Sequence, residues 1–101
     1  MAPTSLRFAR LARSLAESAR AQGLRAPTFR SPPRLPRVTR SIVRRGPQVV
    51  VAVALRDRPW PAVVADMVEG VIAANRLDGV PADHARARLW QAAEEATELA
   101  A

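Results

Sequence analysis

The run Val49–Leu55, VVVAVAL, has an apolar side chain at every position. A strand with one solvated face alternates apolar and polar residues. An unbroken apolar run therefore reads as a strand covered on both faces and central in its sheet. Just before it, residues 38–45 (VTRSIVRR) are also rich in β-branched side chains, and Gly46–Pro47 mark a turn at residues 45–48. Together they predict a β-hairpin. The first strand lacks clean alternation, because Val38 and Ile42 share a face with Arg40 and Arg44. With a single neighbour the second strand keeps an open edge, an aggregation hazard unless something pairs with it or covers it. A homodimer closed at that edge is the expectation.

Helices are predicted on either side of the hairpin. Phe8, Leu11, Leu15 and Ala19 recur at spacings of three and four and form one apolar stripe. Thr4 or Ser5 is placed to cap this helix and Gly23 to end it. Arg10, Arg13, Glu17 and Arg20 occupy its other faces, so the helix is amphipathic and basic, with packing on the domain the favoured role. After Arg56–Pro61 a second helix begins, with Pro61 suited to its first turn. Val64, Met67, Val68, Val71 and Ile72 make its buried stripe, Asp66, Glu69 and Arg76 are expected outward, and Gly70 suggests close approach to the sheet. A third helix from Pro81 is expected to bury Leu89, Ala92, Ala96 and Leu99 and to expose Glu94, Glu95 and Glu98. The fold class is α+β: an N-terminal amphipathic helix, a Pro/Arg-rich extended segment, a hairpin with a buried second strand, and two C-terminal helices. A boundary falls near residue 37, dividing a basic N-terminal arm (1–37) from a hairpin-plus-two-helix domain (38–101).

Charge separates the same two regions. Residues 1–45 carry eleven Arg and one acid, Glu17, whereas residues 46–101 carry five Arg and eight acids, for a net charge of +7. All sixteen basic residues are Arg. GC-rich codons account for choosing Arg over Lys, since Ala, Arg, Pro and Gly together make half the chain, but they leave the clustering unexplained. Within residues 30–45, RSPPRLPRVTRSIVRR, Pro32, Pro33 and Pro36 forbid a helix. Polyproline II is the expected conformation to about residue 37, and its threefold repeat would align Arg34, Arg37 and Arg40 roughly 9 Å apart.

Enzyme chemistry finds little support. There is no cysteine and a single histidine, so disulfides, thiolate sites and an ordinary zinc site within one chain are excluded. His84 reads as a solvated residue. Asp66 and Glu69 form an i,i+3 carboxylate pair that also reads as solvated, and the four glycines never cluster into a phosphate loop. No cofactor is expected and no apolar run is long enough to span a membrane. The default compartment is the cytosol, while the Arg- and Ser-rich start also fits an organellar transit peptide.

What remains is electrostatic. The expectation is a small non-enzymatic protein that binds nucleic acid, DNA or RNA, with weak specificity. Arg30, Arg34, Arg37, Arg40, Arg44 and Arg45 would contact phosphates, and Phe29 would stack on a base. The alternative is an adaptor whose basic arm docks on an acidic protein. A membrane or targeting role for the first helix is weakened by its narrow stripe.

Overall fold

The computed structural model describes residues 4–100, with side-chain surroundings for residues 4–97. In chain order the elements are helix α1 (Thr4–Ala21), strands β1 (Thr28–Arg30), β2 (Arg40–Arg45) and β3 (Gln48–Val53), and helices α2 (Trp60–Ala74) and α3 (Gly79–Ala100). The class is α+β, as the sequence indicates. The strands form one sheet in the order β1-β3-β2, with β3 central.

The hairpin turns where expected. Arg45 pairs with Gln48 in an antiparallel ladder that runs to Arg40 opposite Val53, so the loop is only Gly46–Pro47. Gly46 has φ of +58°. A two-residue hairpin loop needs a positive φ at its first central residue or at both. Proline cannot supply one, so the sequence Gly-Pro leaves the II′ turn as the solution. Val38 and Thr39 lie before the ladder, and β3 ends at Val53 rather than Leu55.

The other edge of β3 is not open. β1 pairs with it in parallel, Thr28 to Arg30 opposite Val50 to Ala52. The premise for a homodimer closed through that edge is therefore removed: the chain fills the edge with its own residues 28–30. Residues 31–39 then cross the C-terminal end of β3 from one edge to the other, bonded on the way by Ala54 N–H to Thr39 O (3.0 Å) and Arg56 N–H to Pro33 O (3.2 Å). This Pro/Arg segment is a strap fastened to the sheet. It is also not one polyproline II run, because Pro36 and Arg37 form a turn with Arg37 at φ of +60°. Arg34, Arg37 and Arg40 do not share an edge.

Only one face of the sheet is covered. Val49, Val51 and Val53 are buried, while Val50 and Ala52 between them are half-buried. The covering element is α2, and Gly70 is the point of closest approach: a Cβ there would lie 2.5 Å from Val51 Cγ1. On its other side α2 meets α3 and α1, and α1 packs along α3. This explains why α2 buries Val63, Gly70 and Ala74 in addition to the expected stripe. Helix α1 buries Phe8, Leu11, Leu15 and Ala19 as expected. In α3 the buried positions are Ala82, Ala85, Leu89 and Ala93. Ala92 and Ala96 are half-buried, and the side chains of Glu98 and Leu99 lie outside the described set.

These side chains form one core. Phe8, Leu11, Leu15 and Ala19 of the expected N-terminal arm belong to the same cluster as Val51, Met67 and Leu89. The radius of gyration is 12.8 Å, which is about the value for a fully compacted chain of 100 residues. Residues 4–37 are integral to the domain, and residue 37 separates no two cores.

Candidate nucleic-acid interface

Residues 18–56 contain nine Arg and no Asp or Glu, and they include the whole sheet. Counter-charges reach the sheet from α2 and from the loop before it, where Asp57 lies beside Arg56 at 3.9 Å. Asp66 supplies the first. Its carboxylate accepts from Arg40 Nη1 at 3.0 Å and from Arg58 Nη2, and Arg58 also donates to the carbonyl of Ala54 at 2.8 Å. The Asp66 side chain is only 13% exposed. The outward-facing acid expected from helical periodicity is instead a connector between α2, β2 and the loop before α2.

Glu69 is consumed in the same way. It accepts a bidentate fork from Arg86, 2.7 Å to Nε and 3.0 Å to Nη2, while Arg86 also donates to Asp83 at 2.8 Å. The fork holds the Glu69 carboxyl below its ordinary range, against an opposing effect of partial burial. A depressed pKa means the folded state binds that proton less readily than the unfolded chain does. The bridge therefore stabilises fully above the ordinary carboxylate range, and its contribution is lost as pH falls through the depressed value. Urea midpoints measured between pH 6 and pH 3 should fall more for wild type than for Glu69→Gln. Equal acid sensitivity would show that the bridge is screened by solvent.

Strand register sorts the arginines. Arg40 and Arg44 stand opposite Val53 and Val49, on the α2 side of the sheet. Arg40 is held by Asp66. Arg44 donates to the carbonyls of Ala73 (2.8 Å) and Ala74 (3.1 Å), closing the C-terminal end of α2. Phe29 stands opposite Val51 and packs edge-on against Phe8, ring centroids 6.5 Å apart. It is partly buried against the core cluster, which is a packing role. Of the seven residues singled out from the sequence, these three lie on the α2 side of the sheet and are bonded or packed there, Arg44 while still exposed.

Arg30, Arg34, Arg37 and Arg45 remain exposed. Among the described residues, none of the four has a carboxylate within 4.0 Å. Arg30 and Arg45 occupy the uncovered face of the sheet, opposite Ala52 and Gln48 respectively. They are four residues apart along β3 and on opposite flanking strands, so their Cα atoms lie about 16 Å apart at standard strand spacings. Between them are Thr28, Ser41, Val43, Val50 and Ala52. Arg34 and Arg37 are carried on the strap at the Arg30 end, beside exposed Arg56.

Two arginines with no place in the sequence reading of the site, Arg25 and Arg76, matter at the other end. Arg25, Arg44 and Arg76 line a cavity of about 370 Å³ with Gly46, Val49, Ala74 and Asn75. Of these only Arg44 belongs to the cluster picked from the sequence, and there it was read as a phosphate contact on an extended strand. The exposed His84 lies in the first turns of α3 and lines none of this cavity. Among the described residues no helix is long and apolar enough to cross a membrane. Comparison with protein families, with characterised proteins and with solved structures finds no match for this chain.

Proposed function

We propose that the protein is a non-enzymatic binder of nucleic-acid backbone, using the uncovered sheet face and the strap beside it. One observation carries this reading: Arg30, Arg34, Arg37 and Arg45 stay exposed with no carboxylate within 4.0 Å among the described residues, and the one acid beside the strap, Asp57, lies next to Arg56. The acids of α2 are committed to Arg40, Arg58 and Arg86 on the inner side. The free arginines of the sheet face and strap are thus kept apart from the acids of α2. A guanidinium is permanently charged and forks onto phosphate oxygens, so such a face attracts a phosphate backbone without reading bases. Phe29 is turned inward and supplies no stacking platform, so low sequence preference is part of the proposal.

Fluorescence anisotropy against duplex DNA, single-stranded DNA and RNA at several salt concentrations tests it. Each neutralised duplex phosphate contributes a slope near −0.9 in log affinity against log salt, so four contacts give about −3.6. The variant with Arg30, Arg34, Arg37 and Arg45 all changed to Ala should lose most of that slope while keeping its melting temperature, because no guanidinium of the four makes an ion pair within the described residues. Binding at wild-type strength by the quadruple variant would overturn the proposal.

A second reading rests on Val43, which is 44% exposed on the edge strand of the same face, opposite Val50. An apolar patch rimmed by arginines suits an acidic protein segment. Val43→Ser should leave phosphate-backbone binding unchanged and weaken docking of a protein. The two readings separate on that variant.

A further inference from the structure

Helices α1 and α2 end in the same way, with one difference. At the end of α1, Gly23 N–H donates to Arg20 O and Leu24 N–H to Ala19 O (2.8 Å). At the end of α2, Arg76 N–H donates to Ala73 O and Leu77 N–H to Ile72 O (3.2 Å). Both are Schellman closures, which require a left-handed residue just past the helix cap. Gly23 fills that position in α1 with φ of +74°, as most helices do. In α2 it is filled by Arg76 at φ of +53°. A side chain there strains the backbone, and such residues concentrate at binding sites. Two identical closures in one chain make the contrast internal: the second one retains an arginine where the first has glycine.

Arg76 borders the cavity at the hairpin end with Arg25 and Arg44. The other two guanidiniums are fixed there by neutral acceptors. Arg44 forks onto the last carbonyls of α2, and Arg25 Nη1 donates to Pro47 O at 3.0 Å. Asn75 holds the Arg25 backbone across 50 residues of sequence separation, accepting from its N–H (2.8 Å) and donating to its carbonyl (2.9 Å). Among the described residues, none of the three arginines has a carboxylate within 4.0 Å. The C-terminal end of a helix contributes about −0.5 charge, far short of three guanidiniums. The walls between them are small: Gly46, Val49 and Ala74. No aromatic ring is present to stack a base or sugar.

We propose that this cavity binds a phosphate group. Three guanidinium charges with no acid partner among the described residues exceed the single charge a carboxylate can offer. They suit a tetrahedral dianion. The group can come from a free phosphate or phosphomonoester, or from a nucleic-acid strand that reaches this end of the sheet. The site uses none of Arg30, Arg34, Arg37 or Arg45, so it stands or falls independently of the backbone-binding face.

The test follows backbone amide resonances of the ¹⁵N-labelled protein at fixed ionic strength. Inorganic phosphate, with chloride as the control, should shift Gly46, Asn75 and Arg76. The informative variant is Arg76→Gly, which removes the guanidinium and relaxes the left-handed residue. It should raise the melting temperature by about 2–4 °C and weaken phosphate binding about tenfold, the usual effect of losing a charge-assisted hydrogen bond. A single-stranded oligonucleotide that displaces phosphate from these resonances identifies the strand as the source. One that leaves them unmoved identifies free phosphate. Phosphate shifts no larger than those of chloride, shifts centred elsewhere, or unchanged phosphate affinity in Arg76→Gly would each overturn the site.

Discussion

Asp66→Ala should lower stability by about 3 kcal/mol, the most damaging loss of a single charge in the molecule. Its carboxylate is the sole acid partner of Arg40 and Arg58 among the described residues, and the Arg58 side chain is only 16% exposed. Removing one member of a mostly buried pair leaves the other charge desolvated and uncompensated, at a cost of about 3–5 kcal/mol. The lower end applies because Arg40, more exposed, can turn to water, and because Arg58 keeps its bond to Ala54 O. For a chain of this length, that change lowers the melting temperature by about 12 °C or more, out of a total stability of about 5–15 kcal/mol. Asp66→Asn, which keeps an acceptor but no charge, should cost less. The double replacement Arg58→Met with Asp66→Leu should be milder than Asp66→Ala alone, because no unpaired charge remains at Arg58. Calorimetry on the three variants separates these cases. A drop under about 3 °C for Asp66→Ala would mean that solvent screens the pair and that α2 is held to β2 by packing alone.

Much of the fold is readable from local pattern, and the failures share a cause. The stripe of α1 and the five apolar positions of α2 follow from helical spacing, and the hairpin follows from Gly46–Pro47 between β-branched runs. In α3 the pattern slips by one residue, from Ala92 to Ala93, because the apolar positions of this helix are mostly alanine and offer no contrast in size to mark its buried side. β1 leaves no local signal at all: Thr28–Arg30 is three residues long and pairs with a strand some twenty residues later. Missing it left the edge of β3 apparently open and invited a homodimer to close it.

The same distinction governs the candidate site. The positive charge of the front half is plain in the sequence, but its division is not. Arginines spaced 30, 34, 37, 40 and 44 look like one line only while the segment is taken as a single conformation. A turn at Pro36–Arg37 and the two-residue period of β2 send Arg40 and Arg44 inward, leaving Arg45 outside. The inward pair then does what the outward acids of α2 were not expected to need: Arg40 neutralises Asp66 and Arg44 closes the helix end. The cavity at the hairpin end was invisible because Arg25 and Arg76 are 51 positions apart in sequence. One trace of it is legible in retrospect, namely an arginine following Asn75 where a helix terminator would ordinarily be glycine.

Gly70 is the position where the largest steric effect is expected. Glycine in a helix interior costs about 1 kcal/mol relative to alanine, so Gly70→Ala starts with a propensity gain. It then places a Cβ 2.5 Å from Val51 Cγ1 and 3.3 Å from Val51 Cγ2. Val51 is fully buried on the central strand between Phe29 and Ile42, and a β-branched side chain has few rotamers to which it can retreat. The helix must move away from the sheet, opening voids along Val49, Val53, Met67 and Val71. Overpacking of this kind costs about 1–3 kcal/mol and sometimes more, so Gly70→Ala should be destabilising by about 1 kcal/mol net. Gly70→Val adds two more carbons and forgoes most of the propensity gain, and should cost about 3 kcal/mol. The diagnostic result is rescue: Val51→Ala removes the methyl groups in the way, so Gly70→Val with Val51→Ala should be more stable than the sum of the two single changes by at least 1 kcal/mol. Urea denaturation of the four proteins measures that coupling. Simple additivity would show that α2 does not rest on β3 through Gly70, and the packing that turns the arginine-bearing face of the sheet outward would need another origin.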